Sequence, residues 1–221
     1  MASPHPSHLS QSQEDYLKAL YHLGGCEPVA ATHVAERLAV SPASAAEMLG
    51  KLGAQGLVSH ERYRGAALTS SGRQAAVELV RRHRLIETFL VRILGYRWDE
   101  VHDEAERLEH AISQRMEDRI YEALDRPDVD CHGDPIPGAD GGIEDIRHPT
   151  LVESRQGDRG TVRRVSDADA GRLRLIDALG LRPGVPVEVL RESAYEGPIL
   201  VRTPEGDREV PLGAARAVFV A

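Results

Sequence analysis

Residues 31–56 read ATHVAERLAVSPASAAEMLGKLGAQG, and this stretch decides the fold of the N-terminal third of the chain. Its second half predicts a helix, because apolar side chains recur at the i, i+3, i+4 and i+7 positions that share one helical face. These side chains are Ala45, Met48, Leu49 and Leu52. Ser41 is expected to cap this helix, and Pro42 to occupy its first position, where a backbone N–H is not needed. The tight turn at 39–42 therefore joins two helices.

The flanking segments extend this pair of helices to a winged helix-turn-helix. An earlier helix, which Ser12 is expected to cap, carries apolar side chains at helical spacing as far as Gly24. After Gly56, two short apolar runs at 57–60 and 66–69 predict a β-hairpin. The order helix, helix, turn, helix, hairpin is typical of winged DNA-binding domains.

The rest of the chain divides into a helical part and a β-rich part. Helical periodicity predicts helices at 71–93, 98–110 and 113–124, with more apolar positions than one small domain needs. Pairing with a second subunit would bury these additional apolar side chains. Residues 126–160 are rich in Pro, Gly and Asp and are expected to form a loop. Five short strands then predict a small barrel. They are expected at 160–165, 185–191, 199–203, 208–212 and 217–220, with a short helix at 168–180.

The composition excludes several classes of protein. The chain has 221 residues and a net charge of −8, which argues against a non-specific nucleic-acid binder. Residues 1–75 hold 6 Lys/Arg and 6 Asp/Glu, net 0, so this part is the better candidate for a DNA contact. No run approaches the roughly 18 apolar residues of a membrane span, and residues 1–13 lack the apolar core of a signal peptide. Two cysteines indicate no disulfide scaffold, so we expect a cytoplasmic protein.

The stretch HDEAERLEH at 102–110 carries the most informative side chains of the middle part. Four of them share one face if the stretch is helical, because of their spacing. These are His102, Glu106, Glu109 and His110. Crowded acceptors of this kind favour a divalent cation as their partner. His83 and Glu87 repeat the pattern one turn apart on the preceding helix, which strengthens the interpretation.

Each of these features also has a purely structural explanation. Asp15 stands three residues after Ser12 and can close a capping box in the first helical turn. A charged helix face is usually solvated, and a His–Glu pair one turn apart is a common intrahelical contact. It is the occurrence of two such clusters together that favours a metal.

Several motifs together resemble the diphtheria-toxin-repressor family of metal-dependent transcription regulators. The matching stretches are EDYL at 14–17, AERL at 35–38, LTSSG at 68–72, RHRL at 82–85, VHDEA at 101–105 and GDPIPG at 133–138. The runs LGLRPG at 179–184 and VEVL at 187–190 are similar to that family's SH3-like domain of the ferrous-iron-transport accessory type. The resemblance implies a homodimeric repressor that binds a palindromic operator with a divalent metal as co-repressor.

The resemblance also implies the fold class, mainly α with a small amount of β. A winged helix-turn-helix domain is expected at 1–74, and a helical metal-binding and dimerisation domain at 75–146. A C-terminal SH3-like β-barrel is expected at 147–221.

Two metal sites follow from the resemblance. The positions of the family's primary site match Asp15, Glu106, Glu109 and His110. Those of its ancillary site match His83, Glu87 and His102. In some members a loop and the SH3-like domain contribute further ligands, which here fall on Asp130, Cys131 and His132 in the loop and on Asp167 or Asp169 beyond it.

The ligand types favour manganese over iron. In the iron-responsive branch of the family, the positions of Asp15 and Glu106 hold Met and Cys. Carboxylates are hard donors, so Mn²⁺ is the predicted co-repressor. Fe²⁺ also accepts oxygen and imidazole, and an iron(II)-responsive regulator of the same family is therefore the alternative. Lys18 stands where some manganese-responsive members have a second carboxylate, which argues against their closely spaced two-metal arrangement.

The helix that begins at Ser41 is expected to enter the major groove of DNA. Serine bonds phosphates or base edges, alanine and proline contact thymine methyl groups, and Glu47 either accepts from cytosine N4 or points to solvent. The residues expected to face the groove are Ser41, Pro42, Ala43, Ser44 and Glu47, and those expected at phosphates are Lys51, Arg62 and Arg64. So few base-specific donors indicate that DNA shape supplies part of the specificity.

A metallohydrolase is the alternative from a different functional class. It would use the side chains of Glu106, Glu109, His110 and His102. The sequence contains no Gly-rich phosphate loop, no nucleophile elbow and no evident general base beside these ligands. We therefore expect a regulator and not an enzyme.

Overall fold

The computed structural model describes residues 9–25, 27–61, 64–139, 141–142, 147–195 and 197–221. The chain divides into two compact units, Met1–Arg82 with Pro137–Gly142 and His83–Ile136 with Ile143–Ala221. Among the described residues, no helix has both the length and the apolar character that crossing a membrane requires.

The first unit contains the predicted winged helix-turn-helix. Its helices are α1 (Gln11–Gly24), α2 (Ala31–Arg37) and α3 (Pro42–Ala54), and its antiparallel wing consists of β1 (Val58–Glu61) and β2 (Gly65–Leu68). Helices this short are marginal in isolation, so they depend on burying their apolar faces against one another. The buried side chains at the centre include Leu17, Leu20, Val34, Leu49 and Leu52.

The start of α1 differs from the prediction. Ser10 caps the helix instead of Ser12, and it closes a capping box with Gln13, whose Oε1 accepts the Ser10 N–H at 2.9 Å. Asp15 lies beyond this box, in the second turn of α1. The capping explanation for Asp15 is therefore wrong.

Helix α4 (Ser70–Arg92) runs close to its predicted bounds, and from His83 onwards it packs in the second unit with α5 (Val101–Leu108) and α6 (Gln114–Ala123). The core between them is formed by Leu85, Ile86, Leu90, Val101, Ala105, Ile120 and Leu124. Helix α5 is shorter than the predicted 98–110. Residues 98–100 form a turn instead, in which the Glu100 N–H donates to the Arg97 carbonyl oxygen at 3.1 Å. Asp99 in this turn accepts from Arg97 at 2.9 Å and from Arg174 of a later helix at 3.4 Å.

The β-rich part of the second unit is one antiparallel sheet with the strand order β6-β5-β4-β3-β7. Its strands are β3 (Arg159–Val165), β4 (Pro186–Arg191), β5 (Ile199–Thr203), β6 (Gly206–Val210) and β7 (Val218–Val220). Strand β6 begins two residues earlier than predicted, because Thr203 pairs with Gly206 across a two-residue turn.

Short helical elements complete the core of this sheet. They are a 3-10 turn at Leu151–Glu153, α7 (Ala170–Ala178) and α8 (Leu212–Ala215). Trp98, from the segment before α5, is buried in the same core. The fold class is thus the predicted one, a mainly helical N-terminal region followed by a small antiparallel sheet of the SH3-like type.

Candidate metal centre

Two helices of the second unit bring together imidazole and carboxylate groups. His83 and Glu87 lie one turn apart on α4, with His83 Nε2 3.0 Å from Glu87 Oε1. His102 Nδ1, on α5, is 3.3 Å from each of these two atoms. His102 Nε2 is in turn 3.6 Å from Glu106 Oε1. The two sequence clusters therefore meet in space, as their shared chemistry indicated.

A loop after α6 adds a third imidazole, that of His132. The ring is buried, its Nδ1 lies 3.8 Å from Glu87 Oε2, and its Nε2 donates to the carbonyl oxygen of Trp98 at 2.9 Å. Because a carbonyl oxygen only accepts, the proton of the neutral ring stands on Nε2, and Nδ1 keeps its lone pair. His132 thus presents a metal-ligating atom on the side of Glu87.

The backbone around His132 is fixed by Asp130 and Gly133. Asp130 Oδ1 accepts two backbone N–H groups of the loop, at 2.8 Å and 2.9 Å, and its Oδ2 lies 3.6 Å from Arg84 Nε. Gly133 has a φ of +88°, and a Cβ there would lie 2.0 Å from the carbonyl oxygen of Arg163. Only glycine fits at this position, so the loop has little freedom to place His132 elsewhere.

The two aspartates that the sequence left as alternatives have different surroundings. Asp167 offers a carboxylate oxygen within 4.8 Å of the ligand atoms of Glu87 and His132. Asp169 instead caps α7, where its Oδ1 accepts the backbone N–H of Arg172 at 2.7 Å. We use the name ancillary centre for His83, Glu87, His102, His132 and Asp167.

Asp130 and Cys131, two of the expected ligands, are not in the candidate metal groups that the described residues form. The oxygens of Asp130 are engaged by the loop, and burial raises its pKa to about 7. Cys131 Sγ is 3.5 Å from His132 Nδ1, but burial raises the pKa of the thiol well above its ordinary value. Without a metal the Cys131 thiol is therefore protonated and the Asp130 carboxylate holds the loop. That these two residues are metal ligands stays a prediction.

Glu87 is the carboxylate at the middle of the ancillary centre. Burial alone would raise its pKa, but the charge of His83 and the hydrogen bonds from His102 and His83 outweigh burial and lower it, so Glu87 is ionised. A buried anion surrounded by imidazoles is a suitable environment for a cation.

The donor atoms are also close enough to share a cation. Ligand atoms about 2.0 to 2.6 Å from one divalent cation stand at most about 5.2 Å from one another. The donors of His83, His102 and Glu106, and those of Glu87, His132 and Asp167, lie within 4.8 Å of one another in each group. His102 is 47% exposed while Glu87 is 1% exposed, so the centre meets solvent on the side of His102.

Glu109 and His110 are the part of the predicted primary set that follows α5. Glu109 Oε1 is 3.5 Å from His110 Nε2, and Glu109 Oε2 is in short contact with His83 Nδ1. Helix α5 ends before these residues, and Glu109 is buried whereas His102 is half exposed. The four side chains therefore differ in burial, and the donors of His102 and Glu106 form a group with His83 that does not include Glu109 or His110.

Sequence reasoning missed the residues that support the centre. The Trp98 ring stacks on His132, with 5.5 Å between ring centroids, in addition to its carbonyl contact. Arg84 contacts Asp130 and Asp134, and Arg164 of β3 reaches the same Asp134 oxygen at 3.1 Å. Arg84 follows His83 directly in the RHRL motif, which was the available signal. Its partners lie too far along the chain for a local pattern to find.

Helix α3 presents the predicted DNA-reading face in the first unit. Ser41 Oγ accepts the Ser44 N–H at 3.1 Å and caps the helix, with Pro42 at its first position, as predicted. All the residues expected to face the groove are exposed, namely Ser41, Pro42, Ala43, Ser44 and Glu47. This exposure is what a contact with the major groove requires.

Two of the three charged residues expected at phosphates, Lys51 and Arg64, form ion pairs at the surface. Lys51 Nζ lies 2.8 Å from Glu47 Oε1, and Arg64 Nη2 lies 3.2 Å from Glu27 Oε2. Exposed pairs of this kind contribute little free energy, so they do not prevent these side chains from reaching a phosphate. Arg62 lies outside the described residues.

Three protein-family models match successive parts of the chain. The model for the iron dependent repressor N-terminal DNA binding domain matches residues 8–66. The model for the iron dependent repressor metal binding and dimerisation domain matches residues 69–138, and the FeoA domain model matches residues 150–221.

One curated relative is similar to this chain over most of the length of both proteins. The diphtheria toxin repressor of Corynebacterium efficiens is 33% identical over 196 residues, which covers 83% of this chain and 85% of that protein. The chain belongs to the diphtheria toxin repressor family. As a member of the diphtheria toxin repressor family, it is a metal-dependent DNA-binding transcriptional repressor.

This diphtheria toxin repressor family member is also similar to solved structures. One, described as a manganese-dependent transcriptional repressor in complex with manganese, has a TM-score of 0.84 and 45% identity, and covers 95% of this chain and 99% of that chain. ScaR with bound Zn²⁺ has a TM-score of 0.75 and 33% identity, with 95% and 98% coverage. Among curated relatives, the iron-dependent repressor IdeR of Mycobacterium leprae is 33% identical over 184 residues, with 82% and 71% coverage.

Proposed function

We propose that this repressor responds to manganese(II) and controls genes of metal-ion homeostasis. The observation that carries the proposal is the chemistry of the donors: the ancillary centre offers three imidazoles and two carboxylates. The predicted primary set adds three carboxylates and an imidazole from Asp15, Glu106, Glu109 and His110. Oxygen and imidazole donors suit Mn²⁺, whereas thiolate and thioether donors select softer metals. The 45% identity with a repressor described in complex with manganese supports the same metal.

The mechanism we propose depends on where the primary ligands stand in the chain. Asp15 falls within the match to the DNA-binding model, and the other three fall within the match to the metal-binding and dimerisation model. These four residues would hold the cation, whose charge would attract the Asp15 carboxylate. Asp15 would in this way orient its own domain, so that two copies of α3 would take the spacing of the half-sites of a palindromic operator. Operator DNA must in return tighten the binding of the metal.

We further infer the assembly and its place of action. The three domains are assigned to 1–74, 75–146 and 147–221, and the last contributes Asp167 to the ancillary centre. Exposed apolar side chains near the end of α4 and on α6, such as Ile93, Leu94 and Met116, provide surface for the second copy of a homodimer. The proposed site of action is the cytoplasm.

On DNA, α3 would read the major groove with few specific donors. The hydroxyls of Ser41 and Ser44 are suited to phosphates or base edges, and Ala43 to a thymine methyl group. Glu47 would accept from cytosine N4 after its exposed pair with Lys51 opens. The remaining specificity would come from the shape of the operator.

The test begins with operator DNA selected from a random pool in the presence of Mn²⁺. Binding of the full chain to the selected duplex is then measured by fluorescence anisotropy with Mn²⁺, with anaerobic Fe²⁺ and with chelator. Tight binding with Mn²⁺ at concentrations where Fe²⁺ fails supports the proposal. An equal response to both metals overturns the proposed selectivity for Mn²⁺ and favours the iron(II) alternative. The name of the mycobacterial relative, an iron-dependent repressor, supports that alternative. Operator binding that is the same with and without metal overturns the proposed mechanism.

A further inference from the structure

The short link that carries Asp167 is tied at both of its ends to the helical part of the second unit, which comprises the end of α4, α5, α6 and the loop after them. Asp167 lies between β3 and α7. Arg164 of β3 donates from Nη1 to Asp134 Oδ1 at 3.1 Å, and Arg174 of α7 donates from Nη1 to Asp99 Oδ2 at 3.4 Å. Both arginines belong to the β-rich part, and both aspartates belong to the helical part. The two contacts therefore bracket Asp167 along the chain.

Each of the two aspartates stands beside a group that orients His132. Asp134 lies two residues after His132 in the same loop. Asp99 directly follows Trp98, whose carbonyl oxygen accepts from His132 Nε2 at 2.9 Å. The two arginine–aspartate contacts thus join the link of Asp167 to the two segments that fix His132. They connect the ligand that the β-rich part supplies to the ligand that it has to face.

The burial of the two carboxylates makes these contacts selective. The side chains of Asp99 and Asp134 are only 5% and 13% exposed, whereas those of Arg174 and Arg164 are 57% and 34% exposed. A carboxylate at this depth is unfavourable unless charged donors compensate for the lost water. A movement of β3 or of α7 away from its aspartate would remove part of this compensation. The contacts therefore favour one position of the link between β3 and α7.

The fold itself does not depend on these two arginines. Asp99 keeps a second donor in Arg97, at 2.9 Å, and Asp134 keeps one in Arg84, at 3.4 Å. Strand β3 and helix α7 are anchored in the core by apolar side chains that are at most 2% exposed, namely Val162, Val165, Leu173 and Ile176. Removal of either arginine should therefore leave both elements folded and change only how firmly the link between them is held.

We propose that Arg164 and Arg174 are positioning residues for Asp167, and that together they keep its carboxylate beside Glu87 and His132. The inference rests on the proposed function, which assigns a metal to the ancillary centre. A carboxylate oxygen of Asp167 lies within 4.8 Å of the ligand atoms of Glu87 and His132. Without the two contacts the link has more conformations to lose when Asp167 binds a cation, and this ordering lowers the affinity.

The test uses substitutions in the full chain. Arg164→Gln and Arg174→Gln remove the charge of each arginine and retain most of the side chain. Each is made in the parent chain and again together with Asp167→Asn, which removes the ligand through which both arginines are proposed to act. Arg202→Gln is the matched control, because Arg202 pairs with Asp207 within the β-rich part at 2.9 Å and is 56% exposed.

Binding of Mn²⁺ is measured in two independent ways. Isothermal titration gives stoichiometry and affinity, and the ancillary event is the one that is removed by His102→Ala, at a half-exposed ligand. The single tryptophan of the chain, Trp98, stacks on His132, so its fluorescence reports occupancy of the same centre. Urea unfolding in the presence of chelator shows separately whether a variant has lost stability.

We expect Arg164→Gln and Arg174→Gln each to weaken Mn²⁺ binding at the ancillary centre about 3- to 10-fold, which is at or below the lower limit for outer-shell partners. The midpoint of urea unfolding should stay at that of the parent. Asp167→Asn should weaken binding by itself, and in that background each arginine substitution should change the affinity less than about twofold, because residues that act through one group are not additive.

Three results would overturn the inference alone. They are an ancillary affinity that neither arginine substitution lowers, a loss of equal size in the Asp167→Asn background or in Arg202→Gln, and an Asp167→Asn chain that binds Mn²⁺ as tightly as the parent. A parent chain without an Mn²⁺-binding event that His102→Ala removes would instead overturn the proposed function on which the inference rests.

Discussion

Replacing Asp130 with alanine is expected to destabilise the protein and to loosen the ancillary centre, although Asp130 is not placed as a ligand. Its Oδ1 accepts two backbone N–H groups at 2.8 Å and 2.9 Å, and its Oδ2 faces Arg84 Nε at 3.6 Å, with the side chain 3% exposed. Removing such a group leaves buried donors without a partner, at about 1.5 to 3 kcal/mol for each bond to a charged acceptor. Because the pKa of Asp130 is raised to about 7, its charge is partial at neutral pH. The expected loss in unfolding free energy is therefore about 3 to 4 kcal/mol.

Asp130→Asn is the matched control, because it keeps an acceptor oxygen in place of Oδ1. Its expected loss is below about 1.5 kcal/mol, mainly from the weakened contact with Arg84. The two variants should also differ in metal binding. Asp130→Ala frees the backbone that places His132, so Mn²⁺ affinity at the ancillary centre should fall about 10- to 100-fold, whereas Asp130→Asn should change it only slightly.

Urea unfolding in the presence of chelator gives the stability difference, and Mn²⁺ titration followed by Trp98 fluorescence gives the affinity. The reasoning is refuted if Asp130→Asn loses as much Mn²⁺ affinity as Asp130→Ala while remaining as stable as the parent. That result would make the Asp130 carboxylate a ligand, as the sequence first indicated.

Asp15→Ala should abolish metal-activated binding to the selected operator while gel filtration still shows a dimer, and an unchanged operator affinity would contradict the primary-site assignment. Asp15→Met combined with Glu106→Cys should broaden the response toward Fe²⁺, because both new donors contain sulfur; an unaltered metal preference in the same anisotropy assay would count against it. Gly133→Ala should lower the unfolding free energy by about 2 to 4 kcal/mol, because its Cβ meets the Arg163 carbonyl at a φ of +88°, and a thermal midpoint equal to the parent's would show that the loop can move. Ser41→Ala should cost about 1 kcal/mol through loss of the cap on α3, whereas Ser41→Gly should cost only a few tenths.

The sequence alone was enough to predict features that depend on residues close together along the chain. The cap at Ser41, the apolar period of α3 and the one-turn spacing of His83 and Glu87 are local, and the structure has all of them. Errors arose where two local solutions compete. Ser10 and Ser12 are both suitable caps, and Ser10 is selected because Gln13 stands at the position that completes its capping box.

The arrangement of the ancillary centre was decided only by tertiary structure. His132 reaches the carbonyl of Trp98 across 34 residues, and Asp167 joins Glu87 from the far side of a long loop. No periodicity encodes such contacts, since they depend on how the α4–α5 core and the small sheet pack in the second unit. Asp130 is a further example. Its position in the chain suggested a metal ligand, whereas its buried contacts are with the backbone of the loop. Residue types and local spacing thus determined which chemistry this protein carries, and long-range packing determined which atoms face one another to perform it.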